Sequence, residues 1–362
     1  MKAREFVLAA TSVFFVFLVL EGLWRVYLFN AASDEHQVKW MRPTDMAENR
    51  LKFSPHPYTS YANSRAYRAP DGPNRNNDLG FRGDDFPLEK PAGEYRIACV
   101  GGSSTYDTEI DEPGLAYPAQ LERALREDHG YENVRVINAG VGGYSSWETL
   151  IHLQLRVLET QPDLVVVYHA VNDVHARIVP PEIYRRDNSA HRRAWREEPK
   201  WWDMSLFLHY VGVQLGFSQR NSLSAFTRVP YEEGDVDAEA ALEANSPKYF
   251  RENLENIVAL SRYHGADVLL TSWAYSTHHG DYVTQPAYRR GIAEHNKVSR
   301  AVAAKTGTLF YDFAAQMSPD PRLWDDGRHN TPEGARKKAE LFAAFIHTTY
   351  LSPSTPAIPL AD

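Results

Sequence analysis

The chain has 362 residues, of which 43% are hydrophobic, and it carries a formal net charge of -8. This length allows one large domain or two modest ones, and without a long basic run the composition does not indicate a nucleic-acid partner. The one cysteine, Cys99, excludes an internal disulfide and a structural metal site built from cysteines.

A long apolar segment lies at the N-terminus. Residues 6–20 carry no charge, and apolar residues continue past Glu21 and Arg25 to Phe29. Counted to Phe29, the segment reaches the roughly 20 residues that a membrane-spanning helix needs. Glu21 and Arg25 lie four residues apart, so they are expected to pair on one helix face or to reach the interface. The sequence therefore favours an uncleaved membrane anchor over residues 1–30.

Two alternatives to this anchor stay open, namely a cleaved signal peptide and a buried helix of a soluble protein. A signal peptide normally has a shorter apolar region, and only Asn30-Ala31-Ala32 offers a weak cleavage site. The charges on the two sides of the segment do not decide its orientation. We expect a single-pass protein with its C-terminal bulk on the extracytoplasmic, periplasmic side, because a short tail before one span is the usual layout of a signal anchor.

The next segment, residues 31–92, is rich in Pro, Asn, Asp and Arg. It contains turn signals such as SPHPY and APDGPNRNND. This composition predicts a polar connector between the anchor and the rest of the chain.

From Tyr95 onward, short apolar runs alternate with longer amphipathic patterns. Strands that are continuously apolar and separated by helices indicate a parallel sheet covered on both faces. The predicted architecture is therefore α/β and doubly wound. The predicted strands are residues 96–100, 134–138, 164–169, 267–273 and 308–312, and the predicted helices are residues 118–130, 145–161, 248–265, 287–307 and 331–350.

Residues 177–246 interrupt this alternation. They form a long insertion between the third strand and the next helix. Insertions at the C-terminal ends of such strands are often lids or specificity loops, so a lid is predicted here. A solvated surface elaboration fits the sequence equally well.

Polar or glycine-rich loops follow the strands, at the edge where parallel sheets bind ligands. The first three strands are followed by GGSST (101–105), by AGVGGY (139–144) and by AVND (170–173). A fourth block, DGRH (326–329), comes just before the last helix. All four loops are expected to open on one edge of the sheet.

Together these loops supply the parts of an acyl-transfer site. Ser103 is the candidate nucleophile, and a serine hydroxyl needs an adjacent base, for which His329 is the candidate. Asp326 would orient the imidazole and stabilise its cationic form. The candidate oxyanion donors are the backbone N–H groups of Ser103 and Gly143 and the side-chain amide of Asn172.

The four blocks resemble those of the SGNH (GDSL-type) hydrolase superfamily. The resemblance covers roughly residues 93–351 and implies a flavodoxin-like α/β/α three-layer sandwich. It also implies Ser103 as nucleophile, Gly143 and Asn172 as oxyanion donors, and Asp326 and His329 as a pair.

Two residues depart from the family's pattern. Gly102 stands where the commonest form has Asp, and Ala170 stands where the third block has Gly. Neither change removes a reacting group. The stretch NNDLGFRG (76–83) resembles segments of membrane-anchored members associated with cell-surface polysaccharides.

Each block alone has a simpler explanation. GGSST resembles a phosphate-binding loop but lacks the GxxxxGK[ST] spacing and its lysine. Asn172 and Asp173 can form an ordinary helix cap, and His169, Asp173 and His175 can suggest a metal site. The order of the blocks and their common position at strand ends favour the acyl-transfer site.

We therefore expect a membrane-anchored serine esterase that forms an acyl-enzyme and needs no cofactor or metal. The expected partners are a small acyl ester, by analogy an acetylated polysaccharide of the cell surface, and the membrane. Two alternatives stay open: an O-acyltransferase that uses the same site, and a non-catalytic scaffold or binding protein with this fold.

Overall fold

The structure is a computed structural model, and it describes residues 3–41, 48–70, 72–191, 193–194, 204–218, 227–228 and 236–351. The helices in these residues are α1 (Ala3–Asn30), α2 (Asp34–Trp40), α3 (Ser103–Tyr106), α4 (Tyr117–Glu127), α5 (Ser146–His152), α6 (Val171–Arg177), α7 (Leu206–Gln214), α8 (Ala238–Ala244), α9 (Lys248–Tyr263), α10 (Pro286–Thr306) and α11 (Pro332–Ile346). The strands are β1 (Phe53–His56), β2 (Ser60–Asn63), β3 (Tyr95–Gly101), β4 (Val134–Gly140), β5 (Leu164–Tyr168), β6 (Arg193–Ala194), β7 (Thr227–Arg228), β8 (Asp267–Thr271) and β9 (Leu309–Tyr311).

A five-stranded parallel sheet lies at the centre of the fold. Its strand order is β4-β3-β5-β8-β9. The first strand of this sheet in chain order, β3, therefore pairs with the second, β4, and with the third, β5. This is the 2-1-3-4-5 order of flavodoxin-like folds. The predicted fold class is confirmed, and each predicted strand is found within two residues of its expected limits. The predicted helices are found within four residues of theirs, with one exception: the predicted helix 145–161 is α-helical only over Ser146–His152 and continues as a π-helix (Leu153–Val157) and a 3-10 turn (Leu158–Thr160).

Helices cover both faces of the sheet, because successive side chains of a strand point to opposite faces. In β3, Ile97 and Cys99 pack into one core beneath α4 and α11. Ala98 and Val100 pack into the other core, against α9 and α10. The alternation along one apolar strand thus produces the three layers that the sequence predicts.

The predicted polar connector is folded against this sandwich. It contains an antiparallel hairpin of β1 and β2, and residues from Tyr61 to Ser64 are buried. Its polar side chains bond to backbone carbonyls of the domain and of the segment itself; Asn63, for example, donates to the carbonyl of Gly140. The polarity of this segment therefore reflects buried hydrogen bonds as well as contact with solvent. The division of the chain at residues 30 and 92 stays a prediction.

The insertion contacts two different parts of the molecule. Arg177, at the end of α6, donates to the carbonyls of Leu242 and Asn245, which ties α8 to the domain. Helix α7 packs instead against α1 and α2. The described residues of the insertion do not test the expected lid.

Helix α1 has the length and composition of a membrane span. Over residues 4–30 its most apolar window has a mean hydropathy of 2.3, and none of that window is buried. A signal sequence passes the same test. The expected pairing within the segment is confirmed, since Arg25 Nε donates to Glu21 Oε1 over 2.5 Å.

Candidate active site

Ser103 is the first residue of α3, and Gly102 alone separates it from the end of β3. The close approach of neighbouring atoms favours glycine at both preceding positions in this chain. A Cβ atom on Gly101 would lie 2.7 Å from the carbonyl oxygen of Tyr168, and one on Gly102 would lie 2.6 Å from Nδ2 of Asn172. The lack of side chains in GGSST is therefore a consequence of the packing around the serine.

Three of the predicted residues form one hydrogen-bonded line. Ser103 Oγ lies 2.8 Å from Nε2 of His329, and Nδ1 of His329 lies 2.9 Å from Oδ2 of Asp326. Both distances lie within the range of a good hydrogen bond. With a proton on Nδ1, the imidazole donates to Asp326 and accepts from the serine hydroxyl. His329 is buried and Ser103 is half-buried.

The loop that carries Asp326 and His329 holds the carboxylate in place. Oδ1 of Asp326 accepts the backbone N–H groups of Arg328 (3.0 Å) and His329 (2.9 Å). Burial of Asp326 opposes its ionisation, but its bonds to His329 and to the Arg328 backbone outweigh burial and hold its pKa well below the usual value. Arg328 also pairs with Asp281 and lies over the ring of Tyr282. The carboxylate is therefore ionised at neutral pH.

A second carboxylate, which the sequence analysis did not single out, lies near the imidazole. Oε1 of Glu109 is 3.7 Å from Nδ1 of His329, and its side chain is 41% exposed. This distance is beyond a hydrogen bond, whereas the Asp326 contact is within one. Asp326 is therefore the carboxylate that is hydrogen-bonded to the imidazole.

The elements that carry two predicted oxyanion donors, Gly143 and Asn172, contact the residue before Ser103. Gly143 has a φ of +81°, which favours glycine and lets the chain turn at the end of β4. Nδ2 of Asn172, in the first turn of α6, donates to the carbonyl of Tyr144 over 2.8 Å. A Cβ on Gly102 would lie 3.0 Å from that same carbonyl oxygen. The turn after β4, the start of α6 and the residue before Ser103 are thus in contact.

A buried lysine forms a hydrogen bond to the helix that begins at Ser103. Lys338 of α11 is fully buried, and its Nζ donates to the carbonyl of Ser104 over 2.8 Å. The ammonium lies 3.8 Å from the ring centroids of both Tyr117 and Tyr168. Burial lowers the pKa of Lys338 to about 8, and the nearby buried Asp107 acts in the opposite direction.

The sequence contains a signal for this lysine that the motif analysis did not use. Within α11 the buried positions include Ala335, Ala339 and Phe342, which follow helical spacing. Lys338 lies on the same face, three residues after Ala335. A lysine on the apolar face of a helix needs a buried partner.

The hairpin of the N-terminal segment supports the turn that carries Gly143. The hydroxyl of Tyr61 donates to the carbonyl of Gly142 over 2.9 Å. In return, the hydroxyl of Tyr144 lies 2.5 Å from the carbonyl oxygen of Tyr61, and their rings are 5.4 Å apart. The predicted oxyanion turn is therefore backed by residues that precede the sheet.

Arg82, in the NNDLGFRG stretch, forms hydrogen bonds to the end of α3 and to the chain that follows it. Its guanidinium is buried and donates to a group of backbone carbonyls in the segment after Ser103. The acceptors are the carbonyl oxygens of Tyr106, Asp107, Ile110 and Asp111. The sequence indicated a resemblance for this stretch but no role for its arginine.

The histidines considered as metal ligands have other partners. Nε2 of His169 bonds to Thr149 over 2.8 Å, and its Nδ1 lies 3.8 Å from Asp173. Nδ1 of His175 bonds to the hydroxyl of Tyr288 over 2.8 Å. Among the described residues, no group of three or more His, Cys, Asp or Glu side chains is arranged to hold a metal ion.

A flavodoxin-like sheet with a serine-bearing turn after its first strand and an Asp-x-x-His loop before its last helix is what the resemblance to the SGNH hydrolases implies, and that resemblance indicates a hydrolase of ester bonds. The family comparison agrees with this class. The chain belongs to the GDSL-like lipase/acylhydrolase family, whose model matches residues 99–337. The protein is therefore a hydrolase of ester bonds.

Several solved structures are similar to the chain at low identity. TesA is 19% identical, with 70% of this chain and 98% of TesA covered and a TM-score of 0.43. Axe2, an acetylxylan esterase from Geobacillus stearothermophilus, is 16% identical, with 73% and 99% covered and a TM-score of 0.43. LAE5, from the metagenome of Lake Arreo in Spain, is 16% identical, with 70% and 94% covered and a TM-score of 0.43. A comparison with curated proteins gives no match.

Proposed function

We propose that this esterase works through Ser103, with His329 as the base and Asp326 as the residue that orients it. The observation that carries the proposal is the line of hydrogen bonds from Ser103 Oγ through the imidazole to Asp326. A serine hydroxyl bonded to a neutral imidazole, itself bonded to an ionised carboxylate, is the arrangement that makes serine a nucleophile.

The proposed reaction has two halves. In the first, Ser103 Oγ bonds to the acyl carbon while its proton moves to Nε2 of His329. The imidazolium then gives this proton to the departing alkoxide, which leaves as an alcohol. In the second, water loses a proton to His329 and bonds to the acyl carbon, and the acyl–serine bond breaks. Ser103 regains the proton, and the acid is released.

The tetrahedral oxyanion would be held by three donors. These are the backbone N–H groups of Ser103 and Gly143 and the amide of Asn172. One N–H of the Asn172 amide is engaged by the carbonyl of Tyr144, which fixes the direction of the amide. In the proposal, the other N–H of this amide donates to the oxyanion. Donors fixed before reaction stabilise developing charge without the cost of reorienting them.

The proposed substrate is a small acyl ester, with an O-acetyl group on a cell-surface glycan as the favoured class. The support is indirect and comes from the apolar helix α1 and from the resemblance of residues 76–83. We also propose that α1 anchors the protein in a membrane and that the catalytic domain lies on the extracytoplasmic side.

Active-site labelling of the full-length protein in detergent tests the nucleophile. We would measure turnover of p-nitrophenyl acetate and of longer esters, and labelling by an organophosphonate. Ser103→Ala should abolish both. Ser104→Ala is the matched control, because the Ser104 hydroxyl donates to the carbonyl of Arg328 and is not bonded to the imidazole. Turnover by Ser103→Ala close to that of the wild type would refute the assignment.

The same assay separates hydrolysis from acyl transfer. Labelling at Ser103 without turnover would indicate transfer to an acceptor that the assay lacks, and turnover that rises with added sugar alcohols would identify the acceptor class. Absence of both labelling and turnover in a folded sample would favour a non-catalytic binding protein.

A further inference from the structure

An acidic residue of the apolar helix α1 has an unexpected set of partners. Glu21 accepts hydrogen bonds from Ser205 Oγ (2.6 Å) and from the backbone N–H groups of Leu206 (3.2 Å) and Phe207 (2.9 Å). Arg25 pairs with the same carboxylate and donates to the carbonyl of Met204. The Glu21 carboxylate thus occupies the first turn of α7, where helix N–H groups lack partners of their own.

Side chains around this contact form a cluster separate from the two cores of the sheet. We call it the anchor cluster, and it joins α1, α2 and α7. The ring of Tyr210 lies 4.6 Å from that of Trp24 and 4.8 Å from that of Trp40. Its members are Trp24, Tyr27, Leu28, Ala32, Trp40, Met41, Leu206, Tyr210 and Val213.

The contacts also give the direction of α7. Phe207 lies beside Phe17, with ring centroids 6.4 Å apart, whereas Tyr210 lies beside Trp24. The two helices therefore run in the same direction, and α7 begins at the level of Glu21. At 1.5 Å per residue, Glu21 lies about 24 Å beyond Glu5, which approaches the ~30 Å thickness of a bilayer's hydrocarbon core. Glu21 therefore marks the level at which the span leaves the hydrocarbon.

Aromatic residues follow at the expected depth. Trp24 and Tyr27 come one and two turns after Glu21 and belong to the anchor cluster. Tryptophan and tyrosine are enriched at the boundary between acyl chains and water. The anchor cluster thus has the composition of a membrane-interface belt.

Helix α7 is apolar on nearly all sides. Among its nine residues, LFLHYVGVQ, only His209 and Gln214 are strongly polar. It is too short to span a bilayer. Just before it, Met204 is 71% exposed, similar to the 62% of Phe6 in the candidate span itself. Exposed apolar surface that continues from a membrane helix is typical of a membrane contact.

We propose that α7 docks on the emerging half of the anchor and contacts the phospholipid bilayer, with Met204 and Phe207 at the boundary of the acyl chains. Glu21 is the residue that holds α7 there. This part of the insertion is then held at the membrane surface, and α1 is retained as part of the folded protein. The inference rests on the membrane anchoring proposed above and is independent of the esterase chemistry.

Depth-dependent quenching of full-length protein in phosphatidylcholine nanodiscs tests this proposal. A fluorophore would be attached to single introduced cysteines, since the native Cys99 is fully buried. The positions are Met204→Cys, Phe14→Cys on α1 as the membrane reference, and Tyr263→Cys on α9 as the aqueous reference, where the side chain is 86% exposed. Lipids with nitroxides on their acyl chains report membrane contact, and iodide reports contact with water.

We expect loss of emission by the lipid nitroxides at residues 14 and 204, and loss by iodide alone at residue 263. If residue 204 behaves like residue 263 while residue 14 is quenched by lipid, the docking of α7 is refuted and the anchor stands. If residue 14 is also unquenched by lipid, the anchoring itself is wrong.

The role of Glu21 is tested by adding Glu21→Ala to the Met204→Cys protein. Lipid quenching at residue 204 should fall, while ester turnover, which checks that the catalytic domain is folded, should persist. Unchanged quenching at residue 204 would refute the role of Glu21. Recovery of a chain that has lost α1 from its native membrane would refute the retention of the anchor.

Discussion

Replacing Arg82 by methionine tests whether the segment before the sheet belongs to the active-site framework. The guanidinium is buried and donates to four carbonyls of the chain that follows Ser103, from Tyr106 to Asp111. Methionine keeps much of the side-chain volume but removes every donor. The carbonyls that lose the guanidinium are partly screened from water, so solvent cannot fully replace their hydrogen bonds.

The expected loss of stability follows from these bonds. A hydrogen bond to a charged group contributes about 1.5–3 kcal/mol when it is removed singly. Bonds made by one group are not independent, so the four do not add in full. We expect Arg82→Met to lower the free energy of unfolding by about 3–6 kcal/mol, which is a large share of the 5–15 kcal/mol typical of a domain. The turnover number kcat should also fall, because the segment that Arg82 holds contains the end of α3, the helix that begins at Ser103.

Urea unfolding of the detergent-solubilised full-length protein, followed by tryptophan fluorescence, measures the first quantity, and ester kinetics measure the second. Arg75→Met is the matched control. Arg75 lies in the same segment, but its partner Asp84 is 80% exposed, and an exposed ion pair contributes about 1 kcal/mol or less. If Arg82→Met is no less stable than Arg75→Met and is equally active, the framework role is wrong.

Four further substitutions give distinct outcomes. Asn172→Ala should lower kcat by about 10²–10³-fold with little change in KM, as loss of one oxyanion donor does. Gly102→Ala should lower kcat as well, because its Cβ would lie 2.6 Å from the Asn172 amide. An unchanged kcat would mean that the amide can move without loss of function. Asp326→Asn should lower kcat by on the order of 10³–10⁴-fold in steady-state kinetics, and a loss below tenfold would contradict its role as orienting residue. Burial raises the pKa of Asp173 to about 7, so the native state retains a proton that the unfolded chain releases above about pH 4. Stability should therefore fall as the pH rises from about 4 to about 7, and urea unfolding of Asp173→Asn should lack this component.

The sheet and the meeting of the four motif loops at one of its edges were predictable, because the signals of these elements are local and one topological rule joins them. An apolar run followed by GGSST identifies a strand and the loop after it, whatever the rest of the chain does. The rule that parallel strands present their C-terminal ends at one edge then brings Ser103, Asn172 and the turn with Gly143 together. The Asp-x-x-His loop needed the last helix as its reference, and that helix has a clear cap at Thr331.

The support of the site was not predictable in the same way. Composition indicated that residues 31–92 are polar, and polar segments are usually solvated. Here Asn63 and Arg82 direct their polar atoms at backbone carbonyls of the domain, so polarity accompanies burial. Whether a polar side chain meets water or a carbonyl depends on tertiary contacts that a single sequence does not encode locally.

These contacts explain how so short a helix can hold the serine. Helix α3 has four residues, and an isolated helix of that length is not stable in water. The carbonyl of Ser103 accepts the N–H of Asp107, but the later carbonyls have no further turn to bond to, and cations are favourable at that end of a helix. Two buried cations supply the bonds: Lys338 takes the carbonyl of Ser104, and Arg82 takes those of Tyr106 and Asp107.

The two cations come from opposite ends of the domain. Arg82 precedes the first strand of the sheet, and Lys338 belongs to the last helix. Both reach the serine turn across long separations in sequence, so the geometry of this turn depends on the segment before the sheet and on the last helix together. The motif identifies the proposed nucleophile, but the orientation of Ser103 toward His329 depends on contacts from distant parts of the chain. A fragment that contains all four motif blocks but lacks residues 48–91 should therefore form the sheet and yet lack ester turnover.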